Sequence, residues 1–181
     1  SSLDKPGAAA VRVEGQNTCG RSRLTASSCQ VQDSKGNGLV VRGRSEAKLS
    51  SDAASISSCS INGSGGHNVA VQGRAVAKLL DCTCYDGSSR GLSVSGSGSS
   101  AEVRGSTFSD MRASHNVSVE EGASASLHDC VSSNSSLCGL YCRGSGSSAV
   151  AYGSTFSSNQ HNNIDTQAGA KVKIHNSQCN G

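Results

Sequence analysis

Pairs of apolar residues at alternating positions return seven times along this chain. In each return the two residues stand at i and i+2, so both side chains point to the same face of an extended strand. The first pairs begin at Val11, Leu39, Val69, Leu92, Val117, Leu140 and Ile164. Two further pairs follow in every unit, separated by turn residues. Because the i, i+3, i+4 spacing of an amphipathic helix is not sustained, the pattern predicts an all-β chain with three short strands per unit.

The second and third pairs also fall into columns. The second pairs begin at Leu24, Ala54, Ala77, Ala101, Ala125, Ala149 and Val172. The third pairs begin with Ser or Cys, at Cys29, Cys59, Cys82, Ser106, Cys130, Ser154 and Ser177. All three pairs return at similar intervals, so parallel pairing of each unit with the next would stack these columns inside a coil. We therefore expect a solenoid of about seven coils, in which Leu92 and Leu140 share a column.

Turn-forming residues mark the boundaries between coils. The residue before the first strand alternates between Gly and Asn, at Gly38, Asn68, Gly91, Asn116, Gly139 and Asn163. Both residue types adopt a positive φ easily, which predicts a left-handed turn at this position. A polar ladder lies upstream, at Asp33, Asn62, Asp86, Asp110, Asn134 and Asn159. We expect these side chains to satisfy backbone groups of the turn.

One glycine-serine segment repeats at a longer interval. Gly-Ser-Gly-Ser-Ser occurs at positions 96–100 and again at positions 144–148, two coils further along the chain. This interval indicates that the repeating unit is a coil pair. The segment looks like a phosphate-binding loop, but the Lys and helix of such a loop do not follow it. We therefore predict that both copies are turns.

The repeat resembles that of a known family. Its coils combine a Ser/Cys-x-core-x-Asn/Asp turn, as in Ser106-Thr107-Phe108-Ser109-Asp110, with a Gly/Asn-apolar-x-apolar strand, as in Gly91-Leu92-Ser93-Val94. This repeat pattern resembles that of the right-handed parallel β-helix repeat family, the fold of pectin lyase-like proteins, over nearly the whole chain. Parallel crossovers are also right-handed as a rule. A β-sandwich, the main alternative, would place turns every ~8–12 residues without such columns.

Composition and charge narrow the possible functions. Apolar residues make up 34% of the chain and there are only two Phe, three Tyr and no Trp, so the core of a coil must be narrow, with Phe108 and Phe156 as its largest members. A net charge of +3 and the shortage of aromatic residues argue against binding to nucleic acid. A membrane-spanning helix needs an uninterrupted apolar run, and the chain has none of sufficient length. We expect one β-helix domain over residues 1–181, within a longer chain or an assembly.

The chain has nine cysteines, most of them at inward-facing positions. The simplest interpretation is a stack of small buried side chains. Neighbours in the third column could also form a disulfide, either Cys29 with Cys59 or Cys59 with Cys82. Cys19 and Cys138 fall in predicted turns, and we expect them to be the most reactive thiols.

Neither cysteine nor histidine has the spacing of a metal site. Cys82-Thr83-Cys84 lacks the second pair that would complete a zinc site. Two pairs of histidines occupy equivalent positions two coils apart, and they are His67 with His115 and His128 with His175. Each pair would be separated by roughly 10 Å, which is too far for one ion to bridge. We therefore expect neither a metal nor another cofactor.

The resemblance implies where an enzyme of this fold would place its chemistry, namely on the outer face of the first strands. Two carboxylates fall on that face, Glu120 and Asp165, with Tyr141 and Arg143 between them. These four residues are the candidate catalytic set, in which Arg143 would hold a uronate and the carboxylates would act in hydrolysis. Short turns and few aromatic residues favour an ordinary solvated face instead.

Ice binding and glycosylation are two further possibilities. Ice binding would need flat outward ranks of Thr or Ser, and Ser93, Ser95 and Ser118 form only a fragment of such a rank. Three sequons are present, at Asn62, Asn116 and Asn134. Asn116 falls in a constrained turn, where we expect it to be a poor acceptor.

The last coil runs to Gly181 without the cap that usually closes a solenoid. This favours a longer protein or a partner that covers the end. Our leading interpretation is a noncatalytic structural or protein-interaction module, which docks another protein chain or a larger assembly through its face or its uncapped end. The alternative is a carbohydrate-binding or polysaccharide-cleaving β-helix. A catalytic role for Glu120, Tyr141, Arg143 and Asp165 belongs to that alternative.

Overall fold

The computed structural model describes residues 11–14, 23–43 and 53–181. Within these residues the chain forms three parallel sheets of seven strands each. Sheet 1 contains β1 (Val11–Glu14), β4 (Leu39–Arg42), β7 (Val69–Gln72), β10 (Leu92–Ser95), β13 (Val117–Glu120), β16 (Cys138–Arg143) and β19 (Asn162–Gln167). Sheet 2 contains β2 (Arg23–Ser27), β5 (Ala53–Ser57), β8 (Val76–Leu80), β11 (Ser100–Arg104), β14 (Ser124–His128), β17 (Ser148–Tyr152) and β20 (Lys171–His175). Sheet 3 contains β3 (Gln30–Gln32), β6 (Ser60–Asn62), β9 (Thr83–Tyr85), β12 (Thr107–Ser109), β15 (Val131–Ser133), β18 (Thr155–Ser157) and β21 (Gln178–Asn180).

The strand registers confirm the predicted parallel β-helix. Leu92 pairs with Val117, and Val117 pairs with Leu140, so the two leucines stand in one column of sheet 1. The second and third columns align in the same way, as Ala101 pairs with Ala125 and Phe108 with Ser132. Each coil therefore lies one strand spacing, ~4.8 Å, from the next. In the described residues, no helix is long and apolar enough to cross a membrane.

The core is the set of inward columns. Val94, Val103, Phe108 and Phe156 are buried, and the two phenylalanines are the largest fully buried side chains. Aliphatic residues and cysteines fill most of the remaining layers, including Leu79, Leu92 and Leu140. Their close stacking in extended strands is what excludes water from an interior that has so few large side chains.

The Ser/Cys column completes the backbone hydrogen bonding of the corner between sheets 2 and 3. The residue before this column has a positive φ, for example Asp81 (51°) and Asp129 (53°). In four of these turns the amide of the column residue donates to the side chain of the column residue in the following coil. The N–H of Cys82 donates to Ser106 Oγ (3.1 Å), and that of Cys130 donates to Ser154 Oγ (3.1 Å). A small residue with an acceptor atom suits this position, and the column contains only Ser and Cys.

The prediction of a left-handed residue before the first strand is wrong. Positive φ occurs instead directly after the third strand, at Asp33, Gly63, Asp86, Asp110, Asn134 and Ser158. Four residues of the predicted polar ladder coincide with these positions, whereas Asn62 lies one residue before its turn and Asn159 one residue after. Asn159 satisfies turn backbone as expected, because its Oδ1 accepts the Ser135 N–H (3.0 Å) and its Nδ2 donates to Ser132 O (3.2 Å).

The Gly and Asn residues before the first strands have different structural roles. Asn116 is fully buried, and its Nδ2 donates to Ser133 O (2.8 Å) and Ser132 Oγ (3.1 Å), which joins the start of the coil to its third strand. Gly91 precedes it by one coil, and a Cβ there would lie 2.7 Å from Asn116 O and 3.2 Å from Phe108 Cδ1. A side chain at Gly91 would therefore meet the backbone of the next coil and the Phe108 ring. The burial of Asn116 also makes it inaccessible as a glycosylation acceptor.

The Gly-Ser-Gly-Ser-Ser segments are turns between sheets 1 and 2, as predicted, with positive φ at their glycines (88° at Gly96 and 82° at Gly98). Ser99 is buried, and its Oγ accepts the N–H of Arg74 in the preceding coil (3.0 Å). The equivalent position in the preceding coil is Ala75. Two coil types therefore alternate at this corner as well.

The cysteines differ from the prediction in two respects. Cys138 does not lie in a turn, because it begins β16, where it is 2% exposed and burial raises the pKa of its thiol. Cys29 is exposed although it stands in an inward column. All cysteines within the described ranges are free, so neither Cys29 with Cys59 nor Cys59 with Cys82 is bonded. Cys19 lies outside the described residues.

Candidate functional site: the outer face of sheet 1

The outer face of sheet 1 has a floor of small side chains that are buried although they point away from the core. Ala70, Ser93 and Ser118 belong to this floor. Arg90 stands two residues before β10, and its Nη1 lies 3.4 Å from Ser93 Oγ. The same Nη1 lies 2.8 Å from Glu120 Oε2, so the arginine crosses the face and forms an ion pair at its far side.

A stacked pair of rings follows in the next coils. His115 occupies the same position before its strand as Arg90, and its ring lies parallel to that of Tyr141 (centroids 4.3 Å apart, 3° between planes). His115 Nδ1 accepts the N–H of Cys138 (3.2 Å). Burial, helped by the charge of Arg90, lowers the pKa of His115 to about 4. At neutral pH the ring is therefore uncharged and carries its proton on Nε2, where it is a hydrogen-bond donor.

Tyr141 connects this stack to the last described coil. Its side chain is only 8% exposed, unlike the solvated face that was expected. Its hydroxyl donates to Gln167 Oε1 (3.2 Å), and Gln167 Nε2 donates to Asp165 Oδ2 (2.8 Å). The phenol is thus held between the imidazole ring and the amide of the next coil.

The four candidate residues lie in adjoining register positions. Glu120 pairs in register with Arg143, and Tyr141 pairs with Asp165. The two carboxylates are two coils apart, roughly 10 Å, as expected from the repeat. Reading alternate residues of the strands missed Arg90 and His115, because both precede their strands. The recurrence of His67, Arg90 and His115 at one position before the first strand was the available signal.

Among the residues that the structure describes, Arg143 adds a cation without an ion-pair partner to this part of the face. It is exposed, and it forms no ion pair with any residue of the described ranges, whereas Arg90 is neutralised by Glu120. A shallow depression of about 410 Å³ adjoins the face where β4, β7 and β10 end, and it is lined in part by Arg42, Gln72 and Ser95. The face therefore combines a positive charge, polar donors and an open depression.

The outer face of sheet 2 carries a different set of contacts. His128, Tyr152 and His175 stack in consecutive coils, with ring centroids 4.9 Å and 4.7 Å apart. The faces of these rings cover one another, so their edges point to solvent. Beside them Glu102 bridges Lys78 (2.9 Å) and Arg104 (3.0 Å). Among residues 11–14, 23–43 and 53–181, no group of three or more His, Cys, Asp or Glu side chains is arranged to hold a metal ion.

Comparison with known proteins identifies the family. The family described as right handed beta helix region matches residues 9–100 and 48–181, and the chain belongs to it. Among solved structures, the chain is similar to the crystal structure of the periplasmic alginate epimerase AlgG, with 14% identity and a TM-score of 0.58 over 88% of this chain and 43% of that one. A mutant of the same epimerase gives 14% identity and a TM-score of 0.57, over 86% and 42% of the two chains. The chain thus spans less than half the length of these proteins, and likeness at this identity shows the fold alone. No curated protein sequence matches the chain.

Proposed function

We propose that this domain is a carbohydrate-binding β-helix that holds a strand of an acidic polysaccharide on the outer face of sheet 1 without cleaving it. The observation that supports this most is the cluster of Arg90, His115, Tyr141, Arg143 and Gln167, which brings polar groups from successive coils to one face. A polymer that lies along the rod would meet these groups in turn, because each coil advances by ~4.8 Å.

The state of each group favours binding over catalysis. A general base needs a free lone pair close to the proton that it removes. The Nδ1 lone pair of His115 is already used by the Cys138 N–H, and its Nε2 carries a proton. Glu120 is held by Arg90, and Asp165 accepts from Gln167. The groups that remain for a ligand are therefore mainly donors, which suit hydroxyl and carboxylate oxygens.

The unpaired charge of Arg143 supports an acidic sugar. A guanidinium matches a carboxylate with two parallel hydrogen bonds, and Arg143 has no protein carboxylate to neutralise it within the described residues. One solved structure of similar fold is an epimerase of alginate, an acidic polysaccharide. This agrees with a uronate ligand but does not by itself carry the proposal.

The test is binding of alginate and polygalacturonate to the wild type and to Arg143→Gln, measured by affinity electrophoresis and calorimetry. Loss of one charged hydrogen-bond pair, about 1.5 kcal/mol, should weaken binding roughly tenfold. Arg104→Gln is the matched control, because it removes the same charge from the outer face of sheet 2. Equal weakening by both variants would indicate nonspecific charge attraction, and absence of binding by the wild type would refute the proposal.

The same proteins and polysaccharides distinguish two other functions from binding. If the wild type shortens or epimerises the polymer and Glu120→Gln does not, the domain is an enzyme rather than a binding module. A docking scaffold for another protein stays a prediction.

A further inference from the structure

The outer face of sheet 3 differs from the other two faces in having no charge. The strands of sheets 1 and 2 contain Arg, Lys, Asp or Glu at several outward positions, whereas none of the seven described strands of sheet 3 contains a charged residue. The chain as a whole has 16 basic and 13 acidic residues. Charge returns only at the bordering turns, for example at Asp86 and Asp110.

The outward side chains of sheet 3 form two straight rows. The first row reads Ser60, Thr83, Thr107, Val131 and Thr155, and the second reads Asn62, Tyr85, Ser109, Ser133 and Ser157. The chain has only six threonines, so half of them stand in one row. The sequence pattern drew attention to the serines of sheet 1, but the longer rank lies here.

The side chains of the two rows differ from those of sheets 1 and 2 in their hydrogen bonding. Within the part of the chain that the structure describes, none of the hydroxyl or amide groups in the two rows has a side-chain hydrogen-bond partner, in contrast to the ion pairs and ring stacks of sheets 1 and 2. Thr83 is exposed and Val131 is 39% exposed. Apart from Asn62, whose Oδ1 is buried, the rows therefore present unused hydroxyl and methyl groups at a partly exposed surface.

The spacing of the rows is fixed by the fold. Neighbouring coils are ~4.8 Å apart, and residues i and i+2 of one strand are roughly 6.7 Å apart, so the two rows form a nearly rectangular grid. This grid is close to the repeat of oxygen atoms on a prism face of hexagonal ice. Hydroxyl groups on such a grid can take positions of the water lattice, while methyl groups order the water between them. A charge on the face would orient water around itself and break the match.

We propose that the outer face of sheet 3 binds ice. The occupant is the ordered water of a crystal surface, and no charge, groove or moving segment of the protein is required. A flat crystalline polysaccharide is less suited, because only one side chain of the two rows, Tyr85, is aromatic and could stack on sugar rings. This function does not depend on the carbohydrate site of sheet 1.

The experiment uses the full chain and measures thermal hysteresis, ice-crystal shaping and adsorption of the fluorescently labelled protein to a growing ice hemisphere. Val131→Lys places a charge in the middle of the first row and should abolish most of the hysteresis. Val150→Lys makes the same change on the outer face of sheet 2 and should leave it unchanged. Val131→Thr completes the threonine row and should raise the activity above that of the wild type.

Circular dichroism and the melting temperature establish that each variant is folded before it is compared. Failure of the wild type to shape ice overturns the proposal. So does equal activity of the wild type and Val131→Lys, an equal loss in both lysine variants, or a loss in Val131→Thr. Adsorption to crystalline cellulose or chitin without any effect on ice would assign the face to a polysaccharide and also overturn it. Arg143→Gln should keep full ice activity, so this proposal and the carbohydrate proposal fail independently.

Discussion

Removal of one hydroxyl from the Ser/Cys column should measure how much this column stabilises the rod. Ser154 is buried, and its Oγ accepts the Cys130 N–H (3.1 Å) and donates to Tyr152 O (3.0 Å). Without the Ser154 hydroxyl, Tyr152 O still accepts the N–H of Asp129 (2.9 Å), so this carbonyl is not left without a partner. The Cys130 N–H has no such replacement among the described residues.

The magnitude follows from this difference. A buried donor that loses its only partner costs about 1–3 kcal/mol, so Ser154→Ala should lower the free energy of unfolding by ~2 kcal/mol. Ser154→Cys should lose no more than about 1 kcal/mol. The reason is that sulfur already has this role in the chain, where Cys59 Sγ accepts the Cys29 N–H (3.3 Å).

The assay is urea titration followed by circular dichroism. The change in the free energy of unfolding is obtained from the shift of the unfolding midpoint at an unchanged m-value. Ser157→Ala is the matched control, since Ser157 lies on the outer side of the same strand segment and its hydroxyl has no partner in the described residues. It should change the stability by less than ~0.5 kcal/mol. If Ser154→Ala costs no more than this control, the account of the column is wrong.

Two further predictions concern protonation and thiol access. Burial lowers the pKa of both His67 and His115 to about 4, so the unfolded chain binds protons that the folded one does not. The free energy of unfolding should therefore be highest above about pH 6.5 and decline towards pH 4, by no more than ~1–2 kcal/mol for each partly exposed ring. Urea titrations at several pH values measure this decline, and it should be smaller in His115→Gln. In the folded protein iodoacetamide should modify the exposed Cys29 and Cys179 but not the buried Cys138, as mapped by mass spectrometry; rapid labelling of Cys138 would contradict its burial.

The strands were predictable because their signal is local and repeated. An i, i+2 pair such as Leu92 and Val94 reports one buried face of a strand, and its return in seven units sets both the register and the stacking. If one strand slipped by one residue against its neighbour, its inward side chains would point outward. Burial of the columns therefore permits only one register. For this reason the inner positions of the coil could be assigned from residue types alone.

The turns were less predictable because Gly and Asn have more than one use. At Gly91 the reason for glycine is close contact with Asn116 of the next coil rather than a positive φ. The left-handed residues are instead largely Asp and Asn after the third strand, such as Asp86 and Asp110. A short polar residue tolerates this conformation, and the sequence does not state which of two neighbouring polar residues adopts it.

The candidate site was only partly predictable for a related reason. Alternation along a strand identifies Glu120, Tyr141, Arg143 and Asp165 as outward, and the structure brings them into adjoining register positions. The direction of a long side chain in a turn is not given by alternation. The crossing of Arg90 to Glu120 therefore appears only when the coils are stacked.

The alternation of buried Asn and Gly has a consequence for the length of the molecule. Removal of a single coil would place two coils of the same kind next to one another, an arrangement that does not occur from Gly38 to Asn163. Removal or duplication of one whole coil pair, the interval from Gly91 to Gly139, returns each coil to a neighbour of the opposite kind. The rod can therefore be lengthened or shortened without a mismatch only in even steps.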